Sequence, residues 1–135
     1  MASELRVNTL KDASGNNSIG LSYVAEGSSK AWIQVDGSTA DGTANLTGVR
    51  DSFNFSSVVD NSTGNHSFAF SNNMNAADYA ISNGGNYLLT SFVSNIASPA
   101  NTYATTGFDI ESYNSVYSAA LDYDYLSADI KGDLA

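Results

Sequence analysis

The side chains able to do chemistry in this sequence are few and scattered. There is one histidine, His66, and no cysteine. Thiolate metal sites, disulfides and paired-histidine relays are therefore excluded. His66 stands at the exit of a dense turn, Asp60-Asn61-Ser62-Thr63-Gly64-Asn65. A solvated or cross-strand polar role is expected for it rather than acid–base work, which needs a tuned partner beside it. Serines are abundant, yet no Gly-x-Ser-x-Gly elbow, Gly-x-Gly-x-x-Gly turn or Walker loop occurs. Two carboxylate pairs, Asp122 with Asp124 and Asp109 with Glu111, have the spacing that shares one face of a strand. Such a pair can attract Ca²⁺, which seeks oxygen ligands. However, Leu121, Tyr123 and Tyr125 alternate with the first pair, which is the pattern of an amphipathic strand with a wet acidic face. No EF-hand spacing is present, and nothing singles out two acids for glycoside hydrolysis. The expectation is a protein with no catalytic, cofactor-binding or metal-ligating residues, and not an enzyme.

Charge narrows the partners. The net charge is −9, and the basic residues Arg6, Lys11, Lys30, Arg50 and Lys131 are dispersed singly. Nucleic-acid binding thus has no electrostatic footing. Charged residues are 14% of the chain against a usual share of about 25%, so the polar surface must come from Ser, Asn, Thr and Gly. No apolar run is long enough to span a membrane. The opening Met1-Ala2-Ser3-Glu4 leads into no apolar signal region, so synthesis in the cytoplasm without a signal peptide is expected.

The elements that must carry these residues read as strands. A chain of 135 residues is long enough for one hydrophobic core. In Lys30-Ala31-Trp32-Ile33-Gln34-Val35-Asp36, Ala31, Ile33 and Val35 share one face and Trp32 and Gln34 the other. Ser52 to Ser56 and His66 to Ser71 alternate phenylalanines with polar residues, and the turn cluster between them predicts a β-hairpin over 52–71. Tyr79 to Ser82 reads as a short strand ended by the turn Asn83-Gly84-Gly85-Asn86. Tyr87 to Ile96 is apolar on both faces, as in a central strand. Thr105 to Ile110 and Leu121 to Ile130 complete the strands, residues 37–48 read as a loop, and 72–78 as one helical turn. The predicted class is all-β: an antiparallel β-sandwich or jelly-roll-like barrel of about seven to eight strands over residues 28–135, preceded by an extended N-terminal arm.

That arm is assigned to residues 1–27. Leu5, Val7 and Thr9 alternate, Leu10 follows, and Ile19 to Val24 form a second short apolar run beyond a polar loop. The alternative is a first strand of the same sheet. Leu5, Val7, Leu10, Ile19 and Leu21 are the candidates for attachment or subunit contact, with Trp32, which points away from its strand's apolar face. Tyr103, Tyr113 and Tyr117 adjoin Ser-, Asn- and Thr-rich loops, the composition of adaptable recognition surfaces. The plainer alternative is that these tyrosines fill half-buried strand positions.

Several segments carry a resemblance. They are the opening Leu5-Arg6-Val7-Asn8-Thr9-Leu10-Lys11-Asp12-Ala13-Ser14-Gly15-Asn16-Asn17-Ser18, the block Gly27 to Ile33 with its Lys30-Ala31-Trp32 run, and the block Arg50 to Asn65 with its Ser52-Phe53-Asn54 strand and Asp60-Asn61-Ser62-Thr63-Gly64 turn. Phe68 and Phe70, the Met74, Ala77 and Tyr79 segment, and the closing Asp124 to Gly132 continue it. Together these resemble small virion structural and tail-fibre-like proteins of marine tailed phages, of the cyanophage type. Asp129 and Lys131 depart from the more apolar closing strand of that family. The resemblance implies a β-rich, often homotrimeric protein on the virion exterior. The expected partners are further copies of itself, other virion proteins of capsid or tail, and a host surface glycan or protein. A short fibre or appendage docked by its N-terminal arm is the first expectation, and a capsid decoration protein cementing the head shell is the alternative.

Overall fold

Ala31, Ile33 and Val35 of β3 (Ala31–Val35) are buried while Trp32 and Gln34 face out, the two-residue period of a strand with one covered face. The computed structural model in which this is seen describes residues 7–15, 18–86, 95–97, 102–114 and 119–135. β3 pairs with β4 (Val49–Phe53) and β11 (Tyr125–Lys131), and β11 with β7 (Ala80–Asn86), giving a four-stranded antiparallel sheet. A second antiparallel sheet runs from β5 (Phe55–Ser62) through β6 (Asn65–Phe70) to β9 (Gly107–Asn114). Both β10 (Ala119–Ala120) and β8 (Asn95–Ala97) also pair with β9. The chain is all-β in class.

One core joins the inner faces of both sheets. Ile33, Val35, Leu126 and Ile130 of the first meet Phe55, Phe68, Phe70 and Phe108 of the second. Phe68 stacks on Phe108 at 5.3 Å, and Phe55 meets both edge-on at 6.1 Å, the offset and T-shaped arrangements that aromatic quadrupoles favour. Tyr79 closes the cluster, its hydroxyl donating to the carbonyls of Gly107 (2.8 Å) and Ala104 (3.1 Å). Burial pushes the Tyr79 phenol up to about 12.

The hairpin expected over 52–71 is present as β5 and β6, but it does not begin at Ser52. Phe53 and Phe55 belong to different sheets. Between them Asn54 takes φ of 62°, a left-handed conformation that short polar side chains tolerate best. Its side chain holds the corner: Nδ2 donates to Lys30 O and Asn72 O, and Oδ1 accepts from the Asn72 backbone N–H at 2.7 Å. The corner switches the chain from one sheet to the other, so Phe55 is buried and Phe53 is 53% exposed.

Other expectations need correction. Asn83-Gly84-Gly85-Asn86 is strand rather than turn, because β7 pairs with β11 along its whole length, from Ala80–Lys131 to Asn86–Tyr125. The ladder is a backbone interaction, and tertiary pairing overrides weak local propensity. Residues 72–78 form no helix; Met74 is buried and bridges Leu134. Leu121 to Ile130 is not one strand in one phase. Tyr123 is buried before the strand starts, then Leu126, Ala128 and Ile130 face the core, so the inward phase shifts by one residue around Asp124. Asp129 and Lys131 fall on the outer face of β11, where the ammonium of Lys131 pairs with the Asp129 carboxylate and holds it below its usual range. Most of the strand expected over Tyr87 to Ile96 lies outside the described residues.

The described part of the N-terminal segment is not a single extended run. β1 (Thr9–Lys11) and β2 (Ser18–Gly20) form their own two-stranded hairpin, and the seven-residue helix α1 (Leu21–Gly27) follows without a buried residue.

Candidate functional site

The β5–β6 hairpin sets Asp60 directly opposite His66. At its tip Gly64 adopts φ of 73°, and an added Cβ there would stand 2.5 Å from the Ser112 carbonyl, so only glycine fits. The Gly64 N–H donates to Asp122 Oδ1 at 2.6 Å. The turn thereby draws the segment preceding β11 onto the hairpin. One ligand atom from each of Asp60, His66 and Asp122 lies within 4.8 Å of the other two. His66 is fully buried, with Nε2 3.2 Å from the carbonyl of Gly37. Among the described residues, His66 Nδ1 and Asp60 Oδ1 are buried without a hydrogen-bond partner. This is the grouping whose residue types could hold a metal ion.

His66 is thus the cross-strand polar residue expected, opposite Asp60, but it is buried and not solvated, and Asp122 is no member of a wet acidic face. Both are drawn inward by the closing of the hairpin against the 121–124 segment. The His66 ring and the Tyr123 carbonyl crowd Gly37, where an added Cβ would lie 3.1 Å from each.

The exposed apolar side chains form a second feature. Leu10 and Ile19 are cross-strand partners on the β1–β2 hairpin, 43% and 45% exposed, and Tyr23 and Val24 of α1 are exposed beside them. Leu21 is half-buried at the start of α1, as is Val7 ahead of β1; Leu5 lies outside the described residues. Trp32 is the cross-strand partner of Phe53 on the outer face of the four-stranded sheet, and both are exposed. Sequence reasoning found Trp32 but missed Phe53, because alternation with Phe55 hid the sheet change between them.

The three tyrosine candidates separate. Tyr103 is half-buried with its ring 5.3 Å from that of Tyr79, at the margin of the core rather than on a free loop. Tyr113 donates to the Glu111 carboxylate at 2.7 Å, which pushes its phenol up, and its carbonyl accepts the Tyr123 hydroxyl. Tyr117 lies outside the described residues. Of the basic residues, Arg50 is engaged with the Asp36 carboxylate at 2.8 Å and lies over the Tyr125 ring.

A cleft of about 410 Å³ opens between Glu26 and the 75–79 and 132–133 segments. Its acids, Glu26, Asp78 and Asp133, are all solvent-exposed. Among the described residues no helix is long and apolar enough to cross a membrane. No family model matches the chain, and no significant match to a curated protein or a solved structure was found.

Proposed function

We propose that the chain is a virion structural protein: a short homotrimeric fibre or appendage on the exterior of a phage particle, with a β-sandwich body, acting by contact and not by catalysis. The observation that carries this reading is the distribution of exposed apolar side chains. Six of the eight large apolar side chains exposed among the described residues lie on the N-terminal hairpin and helix (Leu10, Ile19, Tyr23, Val24) and on the Trp32–Phe53 pair of the outer sheet face; Leu46 and Leu134 are the others. Scattered single hydrophobics need no explanation, but contiguous ones point to interaction sites. In this reading residues 1–27 dock on another virion protein. The Trp32–Phe53 face is covered by a second copy of the chain. The remaining weakly charged surface meets a host glycan or protein.

Sedimentation of the purified full-length protein tests the assembly, and particle incorporation of a chain lacking residues 2–18 tests the docking. The expected results are a trimer that Trp32→Ser with Phe53→Ser dissociates, and a truncated chain that folds but no longer joins particles. A monomer at high concentration overturns the homotrimer, and normal incorporation of the truncated chain overturns the docking segment. Copy number then separates an appendage, present a few times per particle, from a shell-decorating protein present many times.

A further inference from the structure

We propose that Asp60, His66 and Asp122 bind a divalent transition-metal ion, with zinc the ion their donor set fits best. The Gly37 carbonyl can only accept, so His66 Nε2, 3.2 Å away, carries the ring proton. In the neutral ring Nδ1 is then a bare lone pair. It is buried and has no donor among the described residues. This is the tautomer that ligation through Nδ1 requires, and a backbone carbonyl on the far nitrogen is a common way of fixing it.

Asp60 Oδ1 is a second buried acceptor without a donor, on the residue that faces His66 across the hairpin. Two acceptors cannot satisfy each other; a cation or a shared proton between them can. Asp122 supplies a third ligand, oriented by the Gly64 N–H, in the manner of a hydrogen-bonded metal carboxylate.

The donor types choose the ion. Two carboxylates balance a double positive charge, and an imidazole nitrogen suits zinc and its neighbours. Calcium prefers six to eight oxygens and is poorly served. Zinc bonds of about 2.0–2.2 Å would draw the three donors closer than their present separation. Three protein ligands leave a fourth tetrahedral position for water. The consequence is mechanical. Asp60 and His66 lie in the second sheet, and Asp122 lies in the segment that enters β11 of the first. The ion would staple the hairpin to that segment in a chain that has no cysteine to do so.

Titrating the metal-stripped full-length chain with zinc, by calorimetry and by imidazole ¹⁵N resonances, tests this. The expected result is one ion per chain, a large displacement of the His66 Nδ1 resonance with the Nε2 proton retained, and a melting temperature that climbs with zinc concentration. Because His66 is part of the packed interior, the carboxylate variants carry the mutational test. Asp122→Asn keeps an acceptor for the Gly64 N–H, and it and Asp60→Asn should each weaken binding at least ~10-fold while remaining folded. Absence of saturable uptake, or an affinity in both variants unchanged from that of the native chain, overturns the site. So does an imidazole protonated on both nitrogens and unmoved by zinc, which would identify a buried imidazolium–carboxylate pair instead.

Discussion

Leu10 faces Ile19 across the β1–β2 hairpin, and Phe55 faces Phe70 across β5–β6. Both are apolar cross-strand pairs in antiparallel hairpins, yet the first pair is exposed and the second buried. A cross-strand pair alone contributes about 0.2–1 kcal/mol. Fully burying such side chains contributes about 1.5–3 kcal/mol each, and that requires a second layer. β5–β6 has one, the four-stranded sheet that supplies Ile33, Leu126 and Ile130 to the same core. The described N-terminal hairpin runs into α1, which has no fully buried residue. The difference between the regions lies in what covers them and not in their local pattern.

That contrast can be broken first at the aromatic cluster. Phe68→Ala should lose about 3–5 kcal/mol in a denaturant titration, since Phe68 is buried against Phe55 and Phe108. A loss below ~1 kcal/mol would mean that the sheets are not packed as described.

The sheet-switching corner comes next. Asn54→Ala should cost about 2–3 kcal/mol, combining left-handed backbone strain with lost hydrogen bonds. Asn54→Gly should cost less, because it relieves the strain and loses only the bonds. Equal losses in the two variants would remove backbone strain from the account.

The hydroxyl that ties Tyr79 to Ala104 and Gly107 has a smaller effect, of about 1 kcal/mol for Tyr79→Phe at neutral pH. It also has a pH signature. The folded state holds the phenolic proton to about 12 and the unfolded chain releases it near 10. Between those values the unfolded state binds fewer protons, so stability falls as pH rises. The contribution is intact below pH 10 and gone above 12. Thermal melts across that window should show a shallower decline for Tyr79→Phe than for the native chain.

Smallest of all should be Leu10→Ser or Ile19→Ser, each within about 0.5 kcal/mol of the native stability. A loss as large as that of Phe68→Ala would show that the hairpin is buried against the body after all. Trimer formation and particle incorporation, measured on the same variants, sharpen the contrast from the other side.

Alternation was enough to read β3. Ala31, Ile33 and Val35 point in and Trp32 points out because a strand has a period of two whichever sheet it joins. The β5–β6 hairpin was legible for the same reason, with Thr63-Gly64 as its turn. Counting outward from that turn would place Asn61 opposite His66; a register shift between Asp60 and Ser62 sets Asp60 there instead, and nothing in the local residue types announces that irregularity. Asp122 could not be found this way either, since its carboxylate reaches the hairpin by accepting the Gly64 N–H across 58 positions of chain.

The all-β class, the lack of thiol chemistry and the inward faces of the regular strands could be read from residue types and their order alone. These follow from composition and from a local geometric period. The folded chain had to be seen to learn that the phase changes at Asn54 and Asp124, that an Asn-Gly-Gly-Asn stretch is strand, and that a lone histidine is interior with two carboxylates near it. Those features depend on which distant backbone supplies a partner or a cover, and long-range pairing leaves no imprint on neighbouring residue types.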